Sequence, residues 1–360
     1  MLTIVIPNRN RKLEVVRRTL HSITSQDISS DEVEIIVVDY GSDFNYQKDL
    51  RAFVNSLKNI HLICCPTQGQ LWNKSRIINI VLKSCKTPFF MVVDMDMLFH
   101  PQAINKIKLL ATPEQAIYFK VGVLTEEESK KEQDFSAYDI KFHTNEEATG
   151  ITLFPTAILK TINGFDEFYH GWGAEDTDVH VRLQNAGIAV NFYQEETLFL
   201  HQWHPKHYRS PQSTAPFHDC LEQINHKYLM LSRKLKKQQA NQNTTWGLTP
   251  DFKAYKALEN PTQELVIPAT QEELAAFLIH WGTLQKEVLS FTIIPHKDKG
   301  SLKTKAKQVA GKKLPNFITL ETANARILEH IINYYRNYPY TYSFDRQKKE
   351  IRCVINLNIA

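Results

Sequence analysis

Apolar and polar positions along the first 200 residues are arranged in blocks. Residues 4–6, 34–38 and 60–64 read as strands, and 89–93 is a continuous apolar run, as expected for a strand buried on both faces of a parallel sheet. Between them, residues 13–25, 46–57 and Lys74–Ser84 space their apolar positions as helices do. This strand–helix rhythm predicts an α/β fold, with a mostly parallel central sheet in a doubly wound domain. Right-handed crossovers place the loops after Ile6, Val38 and Val93 along one edge of that sheet. Further on, Ala189–Tyr193 reads as a strand and is followed by the apolar run 198–200.

The pattern changes beyond about residue 210. Residues 221–239 read as a basic helix carrying Lys227, Arg233, Lys234, Lys236 and Lys237, and 238–245 as a polar linker. The remainder predicts a strand at 264–267 and a helix opened by the capping box Thr270-x-x-Glu273. A strand at Val288–Ile294, an amphipathic helix at 323–336 and a last strand at 351–359 complete it. The organisation expected is a large domain over 1–215, a basic helix and linker over 216–245, and a small α/β domain over 246–360. No internal repeat and no catalytic motif occurs in the last of these.

Candidate chemistry gathers at the sheet edge. The run at 89–93 ends in Asp94-Met95-Asp96, two acids outside the carboxyl end of a buried strand, where α/β sheets bind ligands. Their hard oxygens suit Mg²⁺ or Mn²⁺. Pro7-Asn8-Arg9-Asn10-Arg11 and Asp39 fall on the same edge, so a basic loop, a ribose-seeking acid and an acid pair converge as a nucleotide-diphosphate site would require. Neither a P-loop nor a Gly-x-Gly-x-x-Gly fingerprint is present. Leu98 stands where a haloacid-dehalogenase-type phosphatase would carry Thr.

The most informative stretch is Gly171-Trp172-Gly173-Ala174-Glu175-Asp176-Thr177-Asp178. It puts three carboxylates at the start of a helical pattern, where the helix dipole favours them. A neighbouring Trp suits a sugar: the ring packs on its C–H face while the acids take its hydroxyls. The competing reading is a capped surface helix beside a core Trp; under either reading Asp178 is a first-turn helix acid rather than a catalyst.

Composition adds bounds. The chain of 360 residues is 42% hydrophobic and 23% charged, ordinary for a globular protein. Its net charge of +4 conceals an asymmetry: residues 1–200 carry 20 Lys and Arg against 26 Asp and Glu, and the rest 23 against 13. The basic half, with a lysine-rich segment at 297–313, could face an anionic membrane or an acidic polymer, or simply be a solvated surface. No nucleic-acid-binding module pattern appears. Five cysteines without C-x-x-C spacing suggest a reducing compartment. With no signal-like leader and no apolar run long enough to span a bilayer, the expected location is cytoplasmic, with peripheral contact at the inner face of the membrane.

Four motifs in order carry a family resemblance: residues 6–11, Trp72-Asn73-Lys74-Ser75-Arg76-Ile77-Ile78-Asn79, Asp94-Met95-Asp96, and Ile162-Asn163-Gly164-Phe165 followed by Gly171-Trp172-Gly173-Ala174-Glu175-Asp176. Over roughly residues 1–210 the chain resembles β-1,4-galactosyltransferases and bacterial chondroitin-polymerase-type glycosyltransferases of the GT-A fold. The resemblance implies inverting, metal-dependent transfer of a sugar such as galactose or N-acetylgalactosamine from a UDP-sugar to a glycan hydroxyl, in surface polysaccharide or glycolipid synthesis. It implies that Pro7, Arg9 and Arg11 cradle the uridine diphosphate, that Asp39 contacts the uridine, and that Arg76 and Asn79 support the diphosphate. Asp96 becomes the main metal ligand, with Asp94 assisting it or bonding the donor. Trp172 and Gly173 belong to the acceptor platform, and Glu175 and Asp176 bind acceptor hydroxyls, with Asp176 favoured over Glu175 as general base. His201 and His204 take the places of a Met-x-x-His pair that closes the metal site, and imidazole suits Mn²⁺ better than Mg²⁺. His207 and His218 read as surface histidines.

The chain departs from the family pattern at Val81 and Ala174, where Gly is usual, and at Glu147-Ala148-Thr149, where aromatics and Gly are usual in a region that senses the donor's C2 substituent. A catalytically silent nucleotide-sugar or glycan-binding module is the alternative; it would not need a base and a full metal shell together.

Overall fold

The structure, a computed structural model, describes residues 1–26, 29, 31–205, 220–284 and 287–358. It divides into two compact units: residues 1–65, 72–205 and 222–249 form the first, and 66–71, 220–221 and the described residues from 250 onward the second.

The first unit opens with β1 (Leu2–Asn8), α1 (Leu13–Thr24), β2 (Val33–Tyr40), α2 (Phe44–Val54), β3 (Ile60–Cys65), α3 (Lys74–Ser84) and β4 (Phe89–Val92). It continues through β5 (Met97–Phe99), α4 (Ala103–Leu110), β6 (Gln115–Phe119), β7 (Val121–Leu124), β8 (Ile140–His143), β9 (Thr152–Pro155), α5 (Thr156–Thr161), α6 (Glu175–Asn185), β10 (Ala189–Tyr193) and β11 (Phe199–His201). After the undescribed 206–219 comes α7 (Leu221–Lys234). The main sheet has the order β10-β6-β9-β4-β1-β2-β3, parallel throughout except for β9, which runs antiparallel to β4 and β6.

Both faces of this sheet are covered, which is why its strands read as continuous apolar runs. Ile4 and Ile6 point to one face, where they cluster with Val16, Leu20 and Ile23 of α1. Val5, Ile36 and Val38 point to the other, against Ile77, Ile78 and Val81 of α3. Each such aliphatic side chain contributes about 1.5–3 kcal/mol by leaving water. A second sheet, β5-β11-β7-β8, was not foreseen. Its strands of three or four residues are too short to display a period.

The second unit contains α8 (Phe252–Lys256), β12 (Gln263–Pro268), α9 (Gln271–Trp281), β13 (Val288–Ile294), α10 (Leu302–Val309), α11 (Leu320–His330), β14 (Tyr340–Asp345) and β15 (Glu350–Asn356). Its sheet runs β12-β13-β15-β14, with only β12 and β13 parallel. Thr270 caps α9 as foreseen, its hydroxyl accepting from Glu273 N at 3.2 Å. The helix expected over 323–336 divides at His330, where a π-type turn over Ile331–Tyr335 places Tyr335 face to face with buried Trp281, centroids 4.7 Å apart. Among the described residues no disulfide joins any of the five cysteines, and no helix is long and apolar enough to cross a membrane.

Candidate active site

The strand register builds the first part of the site. β4 gives way after Val93 to Asp94-Met95-Asp96, and Met95 is pinned through its carbonyl by the Thr19 hydroxyl of α1 at 3.1 Å. β11 then pairs antiparallel with β5, setting His201 opposite Met97, and Gln202 N donates to Asp96 O at 2.8 Å. The second sheet thereby carries His201 to the side of Asp96. Ligand atoms of Asp96, His201 and His204 all lie within 4.8 Å of one another. His204 Nε2 is 3.2 Å and Arg11 3.1 Å from Asp96 Oδ2, and His201 Nε2 is 3.7 Å from Oδ1.

Asp96 is 3% exposed, and both its Oδ1 and His201 Nδ1 are buried without a hydrogen-bond partner among the described residues. Such orphaned atoms are costly unless something binds them. One carboxylate and two imidazoles, with polar atoms to spare, fit a transition ion such as Mn²⁺. Burial works against ionising Asp96, but the charge of His201, the hydrogen bond from His204 and the charge of Arg11 outweigh it and hold the carboxyl below its usual range. His207 and His218 lie outside the described residues.

A second cluster adjoins through the same loop. Lys74, the first residue of α3, is buried, and its Nζ lies 2.9 Å from Asp94 Oδ1, 2.9 Å from Asp176 Oδ2 and 3.8 Å from Glu175 Oε1. Asp94 therefore stands outside the Asp96–His201–His204 triad and is turned to Lys74 instead. Burial opposes the Lys74 charge, yet Asp176, Asp94 and Glu175 together raise its pKa well above the ordinary lysine value. Asp176 is pushed up to about 8, first by burial and then, against the pull of Lys74, by Glu175 and Asp94. A Cβ added at Gly150 would sit 3.5 Å from Asp94 Oδ2 and 3.6 Å from Asp176 Oδ2, so a residue without a side chain borders both acids.

Lys74 was not singled out from the sequence. A signal existed: a cation in the first turn of a helix opposes the helix dipole, and it must be pinned by acids to be buried there. Asn73 caps that helix, accepting from Arg76 N at 2.8 Å.

The remaining site candidates divide between cleft and scaffold. Pro7 lies near the end of β1, and Arg9 follows the strand; its guanidinium bonds Tyr40 O and lies 5.3 Å and 5.6 Å from the rings of Tyr40 and Trp72. Asp39 is fully buried and bound to protein partners: Asn8 Nδ2 (2.7 Å), Gln47 Nε2 (2.7 Å) and both the hydroxyl and amide of Ser42. Asn79 likewise spends its amide on Phe165 O (2.8 Å), Phe165 N (2.9 Å) and Glu167 (3.0 Å). These two residues brace the loops rather than offer free polar atoms. Arg76 is buried, with Nη2 at 3.5 Å from Leu248 O.

The Gly171–Ala174 turn is left-handed at three of its four residues, φ being +72° at Gly171, +100° at Gly173 and +75° at Ala174. Ala174, immediately before α6, therefore carries backbone strain that Gly would not. Trp172 projects from this turn with 48% of its surface exposed. α7 braces the turn from outside: Asn225 Nδ2 donates to His170 O at 3.0 Å and to Trp172 O at 3.3 Å, and Tyr228 stacks on Phe168. Asp178, expected as a first-turn helix acid, lies in the first turn of α6 and is bound within the fold. It pairs with Arg182 at 2.7 Å, fully buried, and Arg182 donates onward to Ile162 O and Gly164 O.

A family model described as glycosyl transferase family 2 matches residues 3–155, and one described as the N-terminal domain of galactosyltransferase matches residues 131–206. No curated protein matches the chain. Similar solved structures include TarS 1-349 of S. aureus in complex with UDP, at 17% identity over 57% of this chain and 61% of that one, TM-score 0.43. The mannosyltransferase PcManGT from Pyrobaculum calidifontis, in complex with GDP-Man and Mn²⁺, is 14% identical over 92% of this chain and 84% of its own, TM-score 0.43. The catalytic domain of Drosophila beta1,4galactosyltransferase 7, in complex with xylobiose, is 18% identical over 58% and 73%, TM-score 0.38. The chain spans about three fifths of the TarS structure's length. The two family matches overlap and together span residues 3–206, and on a mostly parallel α/β sheet they support a GT-A glycosyltransferase fold resembling the galactosyltransferases for this part of the chain.

Proposed function

We propose that the chain is a metal-dependent, inverting glycosyltransferase that moves a hexose from a UDP-sugar to a hydroxyl of a glycan acceptor in surface polysaccharide or glycolipid synthesis. The observation that carries this reading is the convergence of Asp96, His201 and His204, with two polar atoms unpaired among the described residues, beside Asp94, one of the acids bound to Lys74. Asp96, His201 and His204 would hold Mn²⁺, which when bound supplies positive charge for the leaving diphosphate. Arg9 and Arg11 add cationic charge for the same diphosphate. Asp176 accepts the proton of the attacking hydroxyl, and its raised pKa suits a base working near neutrality. Glu175 orients the acceptor, and the exposed Trp172 ring receives a sugar face.

The test is UDP release from a panel of UDP-sugars, with Mn²⁺ and without acceptor, beside an Asp96→Ala control. Slow release from one donor, reduced about a hundredfold or more in the control, is the expected result. Absence of any Mn²⁺-dependent UDP binding by calorimetry would overturn the reading.

A further inference from the structure

The helix α10 is amphipathic and inside out. Leu302, Ala306, Val309 and the following Ala310 fall on one stripe at helical spacing, and Lys303, Lys305 and Lys307 flank it. Such a stripe normally packs on a core. Here Leu302 is 84% and Val309 90% exposed, and no residue of the helix is buried. The polar side is the one tied down: Thr304 Oγ1 donates to Asp298 O at 2.6 Å, and Ser301 caps the helix by accepting from Thr304 N at 3.2 Å. From residue 299 to residue 313 the chain carries six lysines and no acid.

We propose that α10 is an interfacial anchor that lays Leu302, Ala306 and Val309 into an anionic lipid surface while its lysines engage the headgroups. A soluble polyanion would use the lysines and leave the apolar stripe in water. A bilayer interface uses both at once, burying the stripe at the acyl boundary and neutralising the lysines outside it. One short helix of this kind gives reversible attachment, not insertion. The inference does not rest on the glycosyl-transfer reading, since lipid attachment requires neither donor nor metal.

The test is co-sedimentation of the full chain with phosphatidylcholine vesicles, with and without phosphatidylserine, at low salt. The wild-type chain should sediment with the phosphatidylserine-containing vesicles and remain in solution with pure phosphatidylcholine. Lys305→Gln with Lys307→Gln should weaken binding about 25-fold, at roughly fivefold per lysine. Leu302→Gln with Val309→Gln, at positions too exposed to disturb folding, should weaken it about tenfold or more with the melting temperature unchanged. Undiminished binding by the Leu302/Val309 variant would overturn the proposal and leave a plain polyanion surface. So would failure of the wild-type chain to bind phosphatidylserine vesicles, with or without retention on heparin.

Discussion

At the scale of single residues, the site is organised by a charge imbalance: Lys74 faces three carboxylates and neutralises one of them. Asp176 absorbs the surplus by holding its proton up to about 8, whereas the same carboxyl in the unfolded chain titrates near about 3.9. Between those values the folded chain binds a proton that the unfolded chain releases, so Asp176 favours the folded state. That contribution is complete below about pH 4 and is lost as pH rises through about 8. Asp176→Asn removes the titrating group. Its urea midpoint should therefore fall less than that of the wild type between about pH 6 and about pH 9. Parallel slopes in the two proteins would contradict this account. Sequence motifs named Asp94, Glu175 and Asp176 as site acids but gave Lys74 no role, because it lies 20 positions from Asp94 and more than a hundred from the other two, and only the fold brings them together.

At the scale of elements, legibility followed length and two-sided burial. β1, β2 and β4 announced themselves because each is covered on both faces, and β3, α3 and β10 fall where the pattern put them. β5, β7 and β8 did not, and yet β5 and its pairing with β11 are what carry His201 to Asp96. The candidate residues were thus legible in sequence, while the reason they meet was not. α7 shows a second gap: it read as a basic helix leading into a linker, but it braces the Trp172 turn through Asn225. Asn225→Ala should cost about 1–2 kcal/mol in urea denaturation, since two carbonyls lose their shared donor. It should also expose the Gly171–Ala174 turn to limited proteolysis. An unchanged digestion pattern would mean that the turn holds itself.

At the scale of the whole molecule, the chain contains two units, each with an apolar core of its own. The first is built around the two faces of the seven-stranded sheet, and the second around Trp281, Phe291 and Tyr335 under a four-stranded sheet. A unit with a complete core can unfold as its own cooperative step, so calorimetry of the full chain should resolve two transitions. The proposed donor site lies wholly in residues of the first unit: Arg11, Asp96, His201 and His204. A ligand stabilises only the state that binds it, by about 2.7 kcal/mol at a hundred times its dissociation constant. UDP with Mn²⁺ should therefore raise one transition and leave the other in place, and Asp96→Ala should abolish the shift without merging the two. A single transition moving as a whole would show that the units unfold together and that donor binding stabilises all 360 residues at once. That outcome would tie the stability of the second unit to occupancy of the first, although the acids, imidazoles and arginines of the proposed site all belong to the first.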